Sequence, residues 1–219
     1  MKYVFFGTPA FAVIILRKLV EAGVPPKLVV ANPDRPVGRE RTLTSPPTVI
    51  FARQHSIPVW QPVQLTLEEL KNKIQDAEFA LVVTYSHIIK KSVIDFFPLG
   101  IIGIHYSLLP KYRGPSPVQS AILSGETEIG ISFSLMNENL DQGPILLQER
   151  APIKNGETRI ELEDRLSEIS GSLLVQFLPR FHRGEVAAKP QDHNAATYTK
   201  KFESTMMLLL YLISTLTNY

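Results

Sequence analysis

The chain has 219 residues, 44% hydrophobic and 20% charged, with a formal net charge of +2 and no cysteine. That length and apolar content suit one sizeable globular domain, alone or with an appendage, and exclude a disordered chain. The missing cysteines exclude disulfides and thiolate metal sites and make a reducing cytoplasm the expected location, while the small net charge leaves any basic function to local clustering.

The opening MKYVFFGTPAF has neither the apolar length nor the small-residue cleavage site of a secretory signal. KYVFFG (2–7) predicts a short apolar strand. Thr8 then offers a helix N-cap, Pro9 suits the first helical position and Gly23 can end the helix, with Val13, Leu16 and Val20 at helical spacing. The strand runs into GTPAFA rather than GxGxxG, and no GxxxxGK[ST] occurs, so both nucleotide-binding fingerprints are absent. KLVVA (27–31) predicts a second strand, followed by a long non-periodic loop from Asn32 to Pro47. FALVVTY (79–85) and IIGIH (101–105) predict two more strands. Ser116 and Pro117 open a helix that Gly125 closes. GISFSLM (130–136) and PILLQERAPI (144–153) pair around the turn NENLDQG (137–143). Thr158 and Glu161 have capping-box spacing, and Leu162, Leu166, Ile169, Leu173 and Phe177 form the apolar face of a helix ending between Pro179 and Gly184. A polar return (187–205) precedes an apolar tail whose run MMLLLYLI (206–213) is too short to span a bilayer, so no membrane partner is expected. Alternating strands and helices imply an α/β layer fold with a largely parallel sheet.

Open α/β sheets bind ligands beyond the carboxyl ends of their strands, and His105 ends one. Strand alternation puts Ile101, Gly103 and His105 on one face, and the turn at 137–143 brings Asp141 from a neighbouring strand end. A carboxylate facing an imidazole can orient it and stabilise its cationic form. The plain alternative is that His105 caps the strand by hydrogen bonding and Asp141 is a turn residue. Spacing alone favours the plain alternative.

The stretch HYSLLPKYRGPSPVQSAILSGETEIGISFSLMNENLDQG (105–143) resembles the signature of the folate-dependent formyltransferases, with a histidine before SLLP and an aspartate in a D-x-G turn. FFGTPAFA near the start, ANPDRPVGRERTLTSPPT (31–48), IPVWQP (57–62) and PQDHNAATYTKK (190–201) are similar to the methionyl-tRNA formyltransferase branch of that family. The resemblance implies a Rossmann-like, largely parallel twisted sheet with flanking helices. It also implies transfer of a formyl group from 10-formyltetrahydrofolate, a co-substrate used without a metal, to the methionyl amine of aminoacylated initiator tRNA. On that footing His105 stabilises the tetrahedral oxyanion and handles protons, and Asp141 sets its charge state. The turn of Ser107, Leu108, Leu109 and Pro110 and the loop carrying Tyr85, Ser86 and Ile89 contact the folate. Arg35, Arg39 and Arg41 meet acceptor-stem phosphates. Charge alone makes the arginine loop a solvated one, with Asp34 and Glu40 offsetting two of its cations.

Two departures stand against the family pattern. The family has a catalytic asparagine two positions before the histidine, where this chain has Gly103. Losing one oxyanion donor costs about 2.7–4 kcal/mol. Either the enzyme is slow, or a polar group such as Tyr106, Asn137, Asn139 or a water replaces the amide, or the acceptor is a different amine, such as a nucleotide-linked amino sugar. A catalytically impaired folate- or RNA-binding remnant is the non-enzymatic reading. The family also continues past TYTKK into a small β-barrel domain that helps hold tRNA, whereas residues 202–219 match nothing in it. The expected organisation is a catalytic domain (1–201) and an apolar tail (202–219) that covers a patch, makes a homodimer contact or is the scar of a truncated gene. His87 is a candidate pterin contact or a loop histidine in solvent. His55, His182 and His193 are expected at the surface and Trp60 in packing.

Overall fold

Tyr3–Gly7 is buried at all five positions, as a central strand covered on both faces must be. In the computed structural model, which describes residues 1–202, this segment is β1. The elements follow as α1 (Ala10–Glu21), β2 (Leu28–Val30), β3 (Arg35–Val37), β4 (Thr42–Thr44), α2 (Pro47–Gln54), β5 (Val59–Trp60) and α3 (Leu67–Lys73). Then come β6 (Phe79–Val83), α4 (Lys91–Ile94), β7 (Ile101–His105), α5 (Pro117–Leu123), β8 (Glu128–Leu135), β9 (Ile145–Pro152) and α6 (Arg159–His182).

Seven strands form one sheet in the order β5-β2-β1-β6-β7-β8-β9. It is parallel through β7 and closes with antiparallel β8 and β9. Strand order reverses between β1 and β6, the kind of switch point that opens a crevice at the carboxyl ends of the strands. Each sheet face has its own core. Phe5, Leu81, Ile102 and Phe133 pack with Leu16 of α1 and Leu166 and Phe177 of α6. On the other face Val4, Phe6, Val30 and Ile101 pack with Leu70 of α3 and Val93 of α4.

The α/β expectation holds, and three local details differ from it. Thr8 does not cap α1: Pro9 occupies the N-cap position with no side-chain cap, and Thr8 Oγ1 instead accepts the Asn32 amide at 3.2 Å, tying the end of β1 to the end of β2. The segment 32–47 is not structureless, because β3 and β4 pair as an antiparallel hairpin. The short β5, hidden in IPVWQP, adds the edge beside β2. Helix α6 ends as expected, running through Pro179 to His182. Its capping box is present, with Thr158 Oγ1 accepting the Glu161 amide at 3.3 Å and Glu161 Oε2 accepting the Thr158 amide at 2.9 Å. The apolar tail lies almost wholly outside the described residues, and with it the expected patch cover, dimer contact or scar. Among the described residues no helix is long and apolar enough to cross a membrane.

The turn from β9 into α6 is locked by Arg165, which donates to both carboxylate oxygens of Glu157 at 2.7 Å and to the Pro152 carbonyl at 2.6 Å. The guanidinium holds the Glu157 carboxyl below its ordinary value of 4.5. A depressed folded-state pKa contributes stability that is complete above the unfolded value and lost as pH falls through the folded one. Glu157→Gln therefore gives a shallower loss of melting temperature below pH 5 than the parent chain, measured by thermal unfolding from about pH 7 to pH 3.

Candidate active site

Ile101 and Ile102 anchor β7 in the two opposite cores, so the strand is fixed in rotation before it reaches its polar end. Alternation then sends Gly103 and His105 to the face of Ile101 and Tyr106 to the face of Ile102. Gly103 is paired with Val82 of β6 and Ser134 of β8, and His105 with Ser132.

His105 Nε2 lies 2.9 Å from the carbonyl oxygen of Tyr112. A carbonyl only accepts, so the ring hydrogen sits on Nε2 and the lone pair of the neutral ring is on Nδ1. That Nδ1 faces Asp141 Oδ2 at 3.8 Å, with the two side chains 11% and 23% exposed. At this distance there is no hydrogen bond, and the two groups attract only when the ring carries a second proton. Asp141 Oδ2 is itself held by the Gly114 amide at 2.7 Å. When Nδ1 takes a proton, the resulting cation already has a carbonyl on one side and a carboxylate on the other. The pair predicted from the sequence is thus brought together.

The D-x-G turn depends on a close approach. A Cβ on Gly143 would sit 1.6 Å from the Leu135 carbonyl oxygen, so no other residue fits where the turn crosses the end of β8. Asp141 has φ 53, a left-handed conformation that aspartate tolerates better than most residues.

The turn 107–110 is internally braced. Ser132 Oγ donates to the Ser107 carbonyl at 2.6 Å and accepts the Leu109 amide at 3.1 Å, while Gln148 Nε2 donates to the Leu109 carbonyl and Ser132 Oγ, both at 2.9 Å. Ser107 is fully buried, with its hydroxyl donating to the Lys111 carbonyl, and Leu109 is buried too. Leu108 and Pro110 are half-buried, with Leu108 packed over Gly130.

Beside this, the chain leaves β6 through Thr84 at φ 54, a rare conformation for a β-branched residue that costs about 1–3 kcal/mol. Tyr85 follows, packed edge-on against Phe6 with centroids 5.3 Å apart and at 5.3 Å from His87. Ser86 is exposed, and Ile89 is half-buried against the second core. The Tyr85 hydroxyl is buried without a hydrogen-bond partner among the described residues, and so is Asn32 Oδ1. Burial pushes the phenol up to about 12, so it remains a donor at neutral pH. Asn32 Nδ2 donates to Ser86 Oγ at 2.8 Å, joining the loops after β2 and β6. Sequence reading did not single out Asn32. Its only signal was its position directly after a predicted strand.

Tyr106 cannot replace the amide missing at Gly103. It is buried on the opposite face, with its hydroxyl 2.6 Å from Ser167 Oγ of α6. Asn137 Oδ1 accepts the Asn139 amide at 2.9 Å, closing the turn that leads to Asp141. A Cβ built at Gly103 meets Met136 Cγ at 3.4 Å, an ordinary contact, so a side chain can be accommodated.

Arg35, Arg39 and Arg41 are exposed on the β3–β4 hairpin and its tip. The base of the hairpin is fixed by Asp34, whose carboxylate accepts Gln61 Nε2 at 2.6 Å and Ser45 Oγ at 2.9 Å, bonds that hold it below the usual carboxylate range. Among the described residues no group of three or more histidine, aspartate or glutamate side chains is placed to hold a metal.

A histidine at the end of a strand thus faces an aspartate on a largely parallel sheet, and comparison names the family. Residues 1–178 match the formyl transferase family model, so the chain belongs to the formyl transferase family. It is 45% identical over 203 residues to a methionyl-tRNA formyltransferase of Chloroflexus aurantiacus, a match covering 91% of this chain and 65% of that protein. The chain thus spans slightly under two thirds of that relative. The fold is similar to an N-formyltransferase of Helicobacter canadensis solved with folinic acid and dTDP-3-aminofucose, at TM-score 0.69 and 21% identity over 94% of this chain and 72% of that one. A methionyl-tRNA formyltransferase from Clostridium thermocellum superposes at TM-score 0.60 and 18% identity, covering 93% of this chain and 73% of that one.

Gly143→Ala is expected to destabilise the protein by about 1–3 kcal/mol or more, because the new methyl meets backbone that cannot move aside. Asp141 is displaced with the turn, so the variant loses activity at temperatures where it remains folded. Denaturant unfolding and a turnover assay at 15 °C below its midpoint separate the two losses.

Proposed function

We propose that the chain transfers a formyl group from 10-formyltetrahydrofolate to the methionyl amine of aminoacylated initiator tRNA. The observation that carries this reading is His105, with its hydrogen fixed on Nε2 and its free Nδ1 facing Asp141. The 45% identity to a methionyl-tRNA formyltransferase supports this acceptor. The same reading sets the reaction in the cytoplasm, where initiator tRNA is charged.

The residues present fit a folate. The orphaned Tyr85 hydroxyl and Asn32 Oδ1 offer a donor and an acceptor beside the site, next to the loop of Ser86 and Ile89 and the half-buried Leu108 and Pro110. Ser107 and Leu109 serve by holding the turn, because their side chains are already engaged or buried. Bound there, 10-formyltetrahydrofolate supplies an activated formyl carbon to the attacking amine. His105 Nδ1 takes the proton released by that amine, becoming a cation between the Tyr112 carbonyl and Asp141, and then returns it to the leaving nitrogen. A buried cation next to the carbonyl carbon also stabilises the oxyanion. Arg35, Arg39 and Arg41 meet tRNA phosphates from the braced hairpin.

Gly103 is the weak point of this machinery. Its register partner Ser134 is the hydroxyl-bearing neighbour on the same face. Gly103→Asn should fold normally and raise kcat by roughly a hundredfold, the worth of one oxyanion donor. An unchanged kcat would instead show that another group already fills the role, and a loss in Ser134→Ala would then assign it to Ser134.

The acceptor is tested by assaying formyl transfer from 10-formyltetrahydrofolate to methionyl initiator tRNA and to 4-amino nucleotide sugars. The Arg39→Ala and Arg41→Ala variants should raise KM for tRNA, leave KM for folate unchanged and each lower the salt-dependence slope by about 1. Turnover of the sugar alone, indifferent to both variants, would replace the tRNA reading. Folate binding without either reaction would make the chain a binding remnant.

A further inference from the structure

Both members of the catalytic pair are held by the same tripeptide. The Tyr112 carbonyl accepts from His105 Nε2, and the Gly114 amide donates to Asp141. Tyr112–Gly114 is a loop with Tyr112 at φ 58 and Gly114 at φ 113, conformations that need support from outside. That support comes from a strap at residues 189–199, beyond the 1–178 segment that the family model matches. Arg113 and Tyr198 form a parallel bridge, with Arg113 N donating to the Thr197 carbonyl at 2.9 Å and Thr199 N to the Arg113 carbonyl at 2.7 Å. Thr197 Oγ1 accepts the Tyr112 amide at 2.8 Å. A Cβ on Gly114 would lie 2.7 Å from Thr199 Oγ1 and 2.9 Å from its carbonyl oxygen, so the strap sits directly on the loop.

One side chain of the strap also reaches the Asp141 turn. Gln191, 6% exposed, donates through Nε2 to the carbonyls of Asp141 at 2.9 Å and Gly143 at 2.7 Å. Its Oε1 accepts from Arg113 Nε at 3.2 Å and Nη2 at 2.7 Å. Arg113 is 1% exposed, and its other partners are the Tyr198 hydroxyl and His193 Nδ1, each at 3.1 Å. A guanidinium this deep is costly unless every donor is used, so its place against Gln191 is strongly determined. Gln191 therefore links the loop behind His105 to the turn carrying Asp141.

We propose that Gln191 is a positioning residue: oriented by the buried Arg113, it sets the separation of His105 and Asp141 from outside the catalytic core. This rests on the reading of His105 and Asp141 as the working pair. An amide is needed because it must accept from Arg113 and donate to two carbonyls at once. Gln191→Glu keeps the shape and the Arg113 contact but loses both donors to the turn.

The test compares Gln191→Glu and Arg113→Lys with the parent chain in three measurements: melting temperature, formyl-transfer kinetics, and the nitrogen NMR resonances of the His105 ring without substrate. Arg113→Lys keeps the cation and loses the fork on Gln191. A misplacement on the order of 1 Å costs about a hundredfold, so kcat should fall roughly ten- to a hundredfold in both variants, with KM for folate within about twofold. The His105 Nδ1 and Nε2 resonances should move, while Gln191→Glu remains folded at the assay temperature. Unchanged His105 resonances overturn the proposal, as does a rate loss that only tracks the unfolded fraction. If the parent chain formylates neither acceptor, the functional reading fails, while the resonances still decide the role of Gln191.

Discussion

The site depends on one loop serving two partners. Tyr112–Gly114 offers a carbonyl to His105 and, two residues later, an amide to Asp141. The carbonyl fixes which imidazole nitrogen is free, and the amide holds the carboxylate opposite that nitrogen. Neither side chain has to find its partner by its own rotamer preference. Their separation is set by backbone, which is stiffer than side chains. The cost appears as unusual backbone, at Tyr112, Gly114 and Asp141 in the left-handed region and at Gly143 pressed against Leu135.

The rest of the fold can be understood as support for that loop. The two cores grip β7 from opposite faces and deliver His105 to the strand end. The turn between antiparallel β8 and β9 starts opposite Ile102 of β7 and brings Asp141 Oδ2 to 3.8 Å from His105 Nδ1. Ser132 and Gln148 brace the turn after His105 from β8 and β9. SLLP therefore has a structural duty whatever it touches in a complex. Its two most buried side chains, Ser107 and Leu109, are committed to the interior. On the other side of the crevice the chain does the opposite and leaves buried polar atoms of Tyr85 and Asn32 unsatisfied. Such atoms are expensive in a closed interior, and a ligand with complementary groups recovers that cost.

Several elements were legible in the sequence because their signals are local. The capping box at Thr158, the glycines that end α1 and α5, and the alternation of β7 depend only on neighbours along the chain. The candidate pair was legible for a mixed reason. Alternation placed Gly103 and His105 on one face, the turn at 137–143 offered Asp141, and the resemblance to formyltransferases singled the pair out. What local signals missed had remote causes. Thr8 fails as a cap because its hydroxyl is used by Asn32, and β5 exists only because β2 offers it an edge. Tyr106, a sequence candidate to replace the missing amide, faces α6 because strand alternation continues one residue past β7.

From the sequence alone came the α/β class, the order of the principal elements, the His105–Asp141 candidate pair and the departure at Gly103, since each is written in periodicity, residue type or motif. Tertiary structure alone decided the tautomer of His105, the need for glycine at position 143 and the hydrogen bonds that join Gln191 to Arg113 and the Asp141 turn. Those depend on groups from distant stretches of the chain meeting within hydrogen-bond distance, and no periodicity in the sequence encodes such a meeting.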